Sequence, residues 1–184
     1  MDEEWKQRIK KDMWWAKDDP SPEMLKSNID QRMLSLRDSL LKFGGEAVCM
    51  PSVEEDLEKL LSRGQLWSGV GSKLMKGRPI SCHENSCNLW EANQDKLFIS
   101  TGYALSDDGM WRQHSWCVFP KARSVNMIET TVKRELYFGF VMTLDEIEDF
   151  GLNNTDTGIE VKPETRDRFE GILQSVAKNK VKPK

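Results

Sequence analysis

Residues 97–119 read LFISTGYALSDDGMWRQHSWCVF, two runs of apolar and β-branched residues on either side of a short polar segment. Aromatic and β-branched residues favour strands, and the Ser106-Asp107-Asp108-Gly109 segment between the runs is typical of a hairpin turn. Two more runs of the same kind follow along the chain. The pattern predicts an antiparallel meander of about four strands, at Leu97–Leu105, Met110–Phe119, Val125–Thr131 and Arg134–Met142.

Helical patterns precede this sheet. Over residues 1–43 apolar side chains recur every three to five positions, and two prolines near position 20 divide the segment into two helices. A third helix is expected over residues 51–64, because a serine cap followed by acids complements the exposed amide groups of a first turn. Residues 65–81 contain several glycines and no sustained period, which predicts a loop.

Two helices are predicted after the sheet. Thr143-Leu144-Asp145-Glu146 has the residues of a capped first turn, and an amphipathic pattern runs from Pro163 to Lys178. The fold class is therefore α+β, an antiparallel sheet flanked by N-terminal helices and a C-terminal helix. One domain is expected over residues 1–184. Its parts are a helical N-terminal part at 1–64, a helix-plus-sheet core at 65–142 and C-terminal helices at 143–184.

The composition excludes several classes of protein. Apolar residues make up 38% of the chain and charged residues 31%, which is too mixed for a disordered protein and too polar for a membrane protein. A net charge of −3 with interleaved signs gives no basic patch for nucleic acid. No signal peptide or spanning segment is visible, so a cytoplasmic location is predicted, with the cysteines as free thiols.

Cys82 has the position of an activated thiol. It follows Pro79 and opens the segment Cys82–Ala92, which is predicted to be a helix beginning at or just before the cysteine. The partial positive charge at a helix N-terminus favours the thiolate, and a nearby imidazolium lowers the thiol pKa further. The chain has two histidines, His83 and His114, so the choice of a base at neutral pH is short.

His114 and Glu129 complete a candidate triad with Cys82. They fall on the second and third predicted strands, and adjacent antiparallel strands can bring such residues side by side. The carboxylate then fixes the imidazole tautomer and leaves the other nitrogen for the thiol, an arrangement of nucleophile, base and orienting group. His83 is the rival base, but a residue next to the nucleophile on a helix points about 100° away from it.

The order of these motifs along the chain is a cysteine that opens a helix, a strand with Gly102-Tyr103-Ala104, then His114-Ser115-Trp116-Cys117-Val118, and an acid at position 129. In this order the chain resembles the core of the papain-like and transglutaminase-like superfamily, over residues 78–140. The resemblance implies a papain-like core and a cysteine-dependent hydrolase or acyltransferase that acts on an amide, isopeptide or thioester group. In such enzymes a thiolate attacks the carbonyl carbon, and water or an amine resolves the resulting thioester.

The expected ligands and supporting residues follow from this chemistry. The substrate is a peptide, a protein or a small acyl or amide compound, and no cofactor, metal, nucleic acid or membrane is required; the oligomeric state stays open. Candidate oxyanion donors are the backbone amide of Cys82 and the side chains of Asn85 and Gln113. Trp116 and Tyr103 are candidate walls of a substrate groove, with a place in the core as the alternative.

Two other interpretations remain open. Zinc binding is one, because five cysteine and histidine residues lie between positions 82 and 117. Geometry disfavours it, since His114 and Cys117 face opposite sides of a strand, and Cys82 and Cys87 diverge by about 140° on a helix. The other is a non-catalytic protein-interaction module with a tryptophan-rich surface. A catalyst needs an accessible and acidic Cys82, whereas a binding module does not.

Overall fold

The computed structural model describes residues 31–51, 53–121 and 124–169. They form a mixed α+β fold in which helices accompany one sheet of seven strands. The helices are α1 (Gln31–Phe43), α2 (Leu57–Arg63), α3 (Cys82–Glu91), α4 (Leu144–Asn154) and α5, which begins at residue 163. The strands are β1 (Ala47–Cys49), β2 (Gln65–Ser68), β3 (Lys73–Leu74), β4 (Phe98–Leu105), β5 (Met110–Lys121), β6 (Ser124–Glu129) and β7 (Leu136–Val141).

The four segments predicted as strands form β4 to β7, but they are not arranged as a meander. The order in the sheet is β2-β7-β4-β5-β6-β3, so β7 pairs with β4 and not with β6. The connection between β6 and β7 is therefore no hairpin, because residues 130–135 carry the chain to the far side of β4. The sheet is also mixed, since β1 runs parallel to β5 and β3 runs parallel to β6.

The segment before the sheet differs from its prediction in two places. The helix expected from residue 51 begins at Leu57, because Glu54 turns inward and accepts hydrogen bonds from Tyr103 and Gln113 instead of lying in a first turn. The loop predicted at residues 65–81 contains β2 and β3, which are too short to leave a period in the sequence. The helices predicted before residue 31, and the end of the C-terminal helix, lie outside the described residues.

Several local predictions are confirmed. The hairpin turn joins β4 to β5, with Ser106 N donating to Met110 O at 2.9 Å and Gly109 N donating to Ser106 O at 2.9 Å. Helix α4 begins with a capping box, in which Thr143 and Glu146 each accept a hydrogen bond from the other's backbone N–H.

Among the described residues, no helix has the length and apolar character needed to cross a membrane.

Strand β5 lies at the centre of the sheet and has a break along one edge. On that edge β1 pairs with β5 as far as Arg112, and β6 pairs with it from Cys117 onward. The other edge is paired continuously with β4. Helix α3 packs against β5, where the Cys117 Sγ lies 3.5 Å from the carbonyl oxygen of Ser86. The backbone of residues 113–116 is thereby left open to the start of α3.

Candidate active site

Cys82 lies at the start of α3, against the open edge of β5. The side chain of Ser81, the N-cap residue, makes no capping hydrogen bond to the first turn. The thiol is half-buried, and interactions with the His114 side chain and with the backbone of Ser115 lower its pKa. Because of the break in strand pairing, the backbone of β5 next to His114 is free to interact with the Cys82 sulfur.

His114 connects Cys82 to Glu129. Its Nε2 lies 2.8 Å from Glu129 Oε2, and both side chains are buried. Because Nε2 is engaged by the carboxylate, Nδ1 is the nitrogen left for the Cys82 thiol. The structure thus brings together the three residues of the predicted triad, in the order thiol, imidazole and carboxylate.

The Glu129 carboxylate is held by a cage of donors. Oε1 accepts from the backbone amides of Thr130 and Thr131, at 2.8 and 2.7 Å, and from the Thr131 hydroxyl at 2.9 Å. Oε2 accepts from the Tyr137 hydroxyl at 2.9 Å, beside its bond to His114. A fully buried carboxylate with this many donors stays ionised and cannot turn away from the imidazole.

The electrostatics of the three groups favour an ion pair. Burial by itself raises the pKa of Cys82, but the hydrogen bond and positive charge of His114 bring that pKa below its ordinary value. Burial opposes a charged His114, yet bonds to Cys82 and Glu129 raise the His114 pKa to about 9. Burial also opposes a charged Glu129, and His114 with the surrounding donors lowers the Glu129 pKa to about 2. Imidazolium and carboxylate are therefore the favoured forms of His114 and Glu129 near neutral pH, and the lowered pKa of Cys82 favours its thiolate more than in an ordinary cysteine.

His83 belongs to a different set of contacts. Its Nδ1 lies 2.6 Å from Ser115 Oγ, which in turn lies 2.9 Å from Thr101 Oγ1, and its ring packs edge-on against Phe150. Burial and the charge of His114 lower the His83 pKa to about 4, so this imidazole is neutral at pH 7. The Cys82 thiol therefore interacts with His114, whereas His83, the rival base, contacts Ser115 and Phe150.

A pocket of about 470 Å³, here called the thiol pocket, opens beside Cys82 and His114. Its rim includes Ile80, which is 99% exposed and has a φ of 63°, a backbone conformation that a β-branched residue rarely adopts. Val132, 51% exposed, lies on the same rim. Strained and exposed apolar residues next to a reactive group are typical of a ligand-binding edge.

A second pocket of about 300 Å³, here called the acidic pocket, lies beside His83. Glu54, Glu55 and Asp56 contribute to its lining. Gln113 lines both pockets, so its side chain stands between the thiol pocket and the acidic pocket. A ligand that spans the two pockets would cross this side chain.

The predicted oxyanion donors have other hydrogen bonds. The Asn85 amide accepts from the backbone N–H of Arg78 at 3.0 Å and donates to the carbonyl of Arg78 at 2.8 Å, so it holds the loop before Cys82. Gln113 is exposed and donates to Glu54 Oε2 at 3.0 Å, a bond that a ligand can replace. The backbone amide of Cys82 lies in the uncapped first turn of α3.

Of the two alternatives for Trp116 and Tyr103, a groove wall or a place in the core, the structure shows the core, because both side chains are fully buried. Trp116 packs against His114 with ring centroids 6.4 Å apart, and Tyr103 donates to Glu54. The other tryptophans among the described residues, Trp67, Trp90 and Trp111, are buried as well. The described part of the chain therefore lacks the tryptophan-rich surface that an interaction module was expected to use.

Sequence reasoning missed three supporting residues. Tyr137 and Thr131 donate to Glu129, and Ser115 contacts both His83 and the sulfur of Cys82. The threonines that directly follow Glu129 are a usable signal, since a carboxylate at the end of a strand often accepts from the next amides. The contact with Tyr137 depends on the pairing of distant strands and leaves no local signal.

Among the described residues, no three histidine, cysteine, aspartate or glutamate side chains are grouped so as to hold a metal ion. Cys87 and Cys117 are buried thiols whose pKa values are raised, first of all by burial, to about 12 in the case of Cys87.

Comparisons of the chain with protein-family models, curated proteins and solved structures give no match.

Proposed function

We propose that this protein is a cysteine-dependent hydrolase or acyltransferase in which Cys82 is the nucleophile, His114 the acid and base, and Glu129 the orienting carboxylate. The observation that carries the proposal is the unbroken series of contacts from Cys82 through His114 to Glu129, at the mouth of an open pocket. The substrate class is an amide, isopeptide or thioester, because a thiolate paired with an imidazolium is suited to acyl transfer.

The first half of the reaction forms an acyl-enzyme. The Cys82 thiolate attacks the carbonyl carbon, and the π electrons of the carbonyl move to its oxygen. When the tetrahedral intermediate collapses, the bond from carbon to the leaving nitrogen or sulfur breaks, and the Nδ1 proton of His114 moves to the leaving group. The product is a thioester on Cys82, with His114 now neutral.

The second half releases the acyl group. Neutral His114 takes a proton from water or an amine, which attacks the thioester carbon. Collapse of this intermediate breaks the bond between carbon and sulfur and restores the thiolate beside the imidazolium. Glu129 keeps its charge throughout, since its part is to hold Nε2–H and stabilise the imidazolium.

A negative charge develops on the carbonyl oxygen in both steps, and two features of the pocket are suited to stabilising it. The amide of Cys82 belongs to the uncapped first turn of α3, where backbone N–H groups carry partial positive charge. Gln113 lines the same pocket and can exchange its bond to Glu54 for one to the oxygen. Asn85 is the weaker candidate, because both ends of its amide are bonded to Arg78.

A papain-like or transglutaminase-like core is part of the same proposal. A helix that begins with the cysteine and packs on the strand carrying the histidine supports it, together with a carboxylate from the neighbouring strand. A cytoplasmic location is also proposed, because a catalytic thiol and three further free cysteines suit a reducing compartment.

The test is acylation by a panel of p-nitrophenyl esters and acyl p-nitroanilides, followed by intact-mass and peptide mass spectrometry. We expect an acyl adduct on Cys82 in the wild type. The matched control is Cys49→Ala, which removes the other half-buried thiol, whose pKa burial raises, and it should acylate normally. Turnover retained by a folded Cys82→Ala protein would rule out the proposed nucleophile.

A further inference from the structure

The thiol pocket has a one-sided charge. The cationic residues Lys76, Arg112 and Arg134 line it, and none of its described lining residues is aspartate or glutamate. The imidazolium of His114 adds a further positive charge when the site is active. The thiolate of Cys82 and the carboxylate of Glu129, which contacts His114, offset two of these charges, so the excess positive charge comes from the cations that line the pocket.

Two of the three cationic side chains are available to a ligand. Arg112 is already neutralised, since its guanidinium forms a two-pronged pair with the Asp108 carboxylate at 2.7 and 2.6 Å. Within the described part of the chain, neither Lys76 nor Arg134 has an ion-pair partner. An unpaired cation beside a pocket attracts anions over several ångströms, because the pocket walls exclude some of the screening water.

The backbone holds both residues beside the thiol. Gly77 N, next to Lys76, donates to Thr130 O at 2.8 Å, and Met75 N donates to Glu129 O at 2.8 Å. Arg134 N is hydrogen-bonded to the Tyr137 hydroxyl at 2.9 Å, which in turn donates to Glu129. The backbone on which the two cations stand is thus tied to the same residues that orient His114.

We infer that the acyl substrate of this site carries an anionic group, such as a carboxylate, close to the carbonyl that Cys82 attacks, with Lys76 and Arg134 as the residues that select it. The inference rests on the proposed function, because it assumes that Cys82 reacts within the thiol pocket. Arg134 suits a planar carboxylate, and exposed Lys76 supplies a mobile charge.

The test compares two alkylating reagents of the same size, anionic iodoacetate and neutral iodoacetamide. Their rates of reaction with Cys82 in the full chain are measured by mass spectrometry, and the ratio of the rates is divided by the ratio found for N-acetylcysteine. In the wild type this normalised ratio of the iodoacetate rate to the iodoacetamide rate should be greater than one. Lys76→Gln and Arg134→Gln should each lower the ratio about threefold, and the double variant about tenfold, as expected for single unit charges acting across a partly hydrated pocket.

Three controls isolate the charge effect. Lys133→Gln makes the same change in the same loop as Arg134, but Lys133 does not line the pocket, so its ratio should stay near that of the wild type. The iodoacetamide rate of each variant reports the reactivity of the thiol itself, so any change in thiol ionisation cancels when the iodoacetate rate is divided by it. The preference for iodoacetate should shrink in 1 M salt, where the screening length is about 3 Å.

The outcomes separate the two proposals. Rapid reaction of Cys82 with both reagents, at a ratio that the double variant leaves unchanged, would overturn the anionic substrate and leave the nucleophile in place. Failure of Cys82 to react with either reagent would overturn the nucleophile, and the anionic substrate with it.

Discussion

Glu129 is the residue on which the charge state of the site depends. Its carboxylate is fully buried, and it favours the imidazolium of His114 by direct contact. The imidazolium in turn favours the thiolate of Cys82. Removing the negative charge at position 129 should therefore lower the ionised fraction of the Cys82 thiol, although an imidazole ring separates the carboxylate from the sulfur.

Glu129→Gln should lower the pKa of His114 from about 9 toward its ordinary value near 6.5. Alkylation of Cys82 at pH 7 should slow about tenfold or more, because less of the thiol is ionised. The free energy of unfolding should fall by about 2–4 kcal/mol, since an amide cannot accept from all the donors of the carboxylate. The measurements are an NMR titration of His114, alkylation rates and urea unfolding.

The matched control for this variant is Glu135→Gln, an exposed carboxylate in the following loop. It should change neither the His114 titration nor the stability. A pKa of His114 that stays near 9 in Glu129→Gln would contradict the role given to the carboxylate.

The element that matters most for the site is α3 together with the loop that leads into it. Asn85, in the first turns of α3, bonds to both backbone groups of Arg78, and a Cβ at Gly77 would lie 2.5 Å from the Asn85 side chain. The loop is thereby pressed against the helix that carries Cys82. This contact fixes the rim of the thiol pocket relative to the sulfur.

Asn85→Ala should lower the free energy of unfolding by about 1–3 kcal/mol, because two partly buried backbone groups of Arg78 lose their partner. It should also slow iodoacetamide labelling of Cys82, since the loop before the thiol loses its anchor. Chemical unfolding and labelling rates measure the two effects.

Asn93→Ala is the control for this element. Asn93 follows α3, and its amide donates to the backbone carbonyl of Leu89 at 2.9 Å, far along the helix from Cys82. This variant should lose stability without slower labelling. Equal labelling rates in the two variants would show that the Asn85 contact does not position the site.

The elements also show what sequence could and could not predict. Strands β4 to β7 and the helix at Cys82 were predicted because their patterns of apolar and capping residues are local. The pairing of β7 with β4, and of β1 with β5, was not, because pairing between distant segments leaves no mark in a single sequence. For the same reason the triad was predicted from residue types, whereas Tyr137 and the break along β5 were found only in the fold.

At the scale of the whole molecule, the two histidines should shape stability in opposite directions. The pKa of His83 is lowered to about 4 in the fold, so its contribution is complete above about pH 6.5 and is lost as the pH falls toward 4. The pKa of His114 is raised to about 9, so its contribution is complete below about pH 6.5 and is lost as the pH rises through 9. The stability that Glu129 contributes is complete above about pH 4.5 and is lost only as the pH falls from there toward 2.

Stability should therefore be greatest near pH 6.5 and fall on both sides. His83→Gln should flatten the fall between pH 6.5 and 4, because glutamine does not titrate. The measurement is urea unfolding at half-unit steps from pH 4 to 9 for the wild type and this variant. An acid limb that is equally steep in both proteins would contradict the buried, neutral state assigned to His83.

The proposed mechanism depends on one property of the folded protein, the ionisation of Cys82 by His114. The most direct measurement is the pH dependence of the rate at which iodoacetamide alkylates Cys82 in the native protein, with His114→Ala alongside. The proposed ion pair of Cys82 and His114 predicts a midpoint below the ordinary thiol value of about 8.5 in the wild type, and a higher midpoint with slower labelling in the variant. A midpoint at or above the ordinary value in the wild type, or one that does not move in His114→Ala, would contradict it.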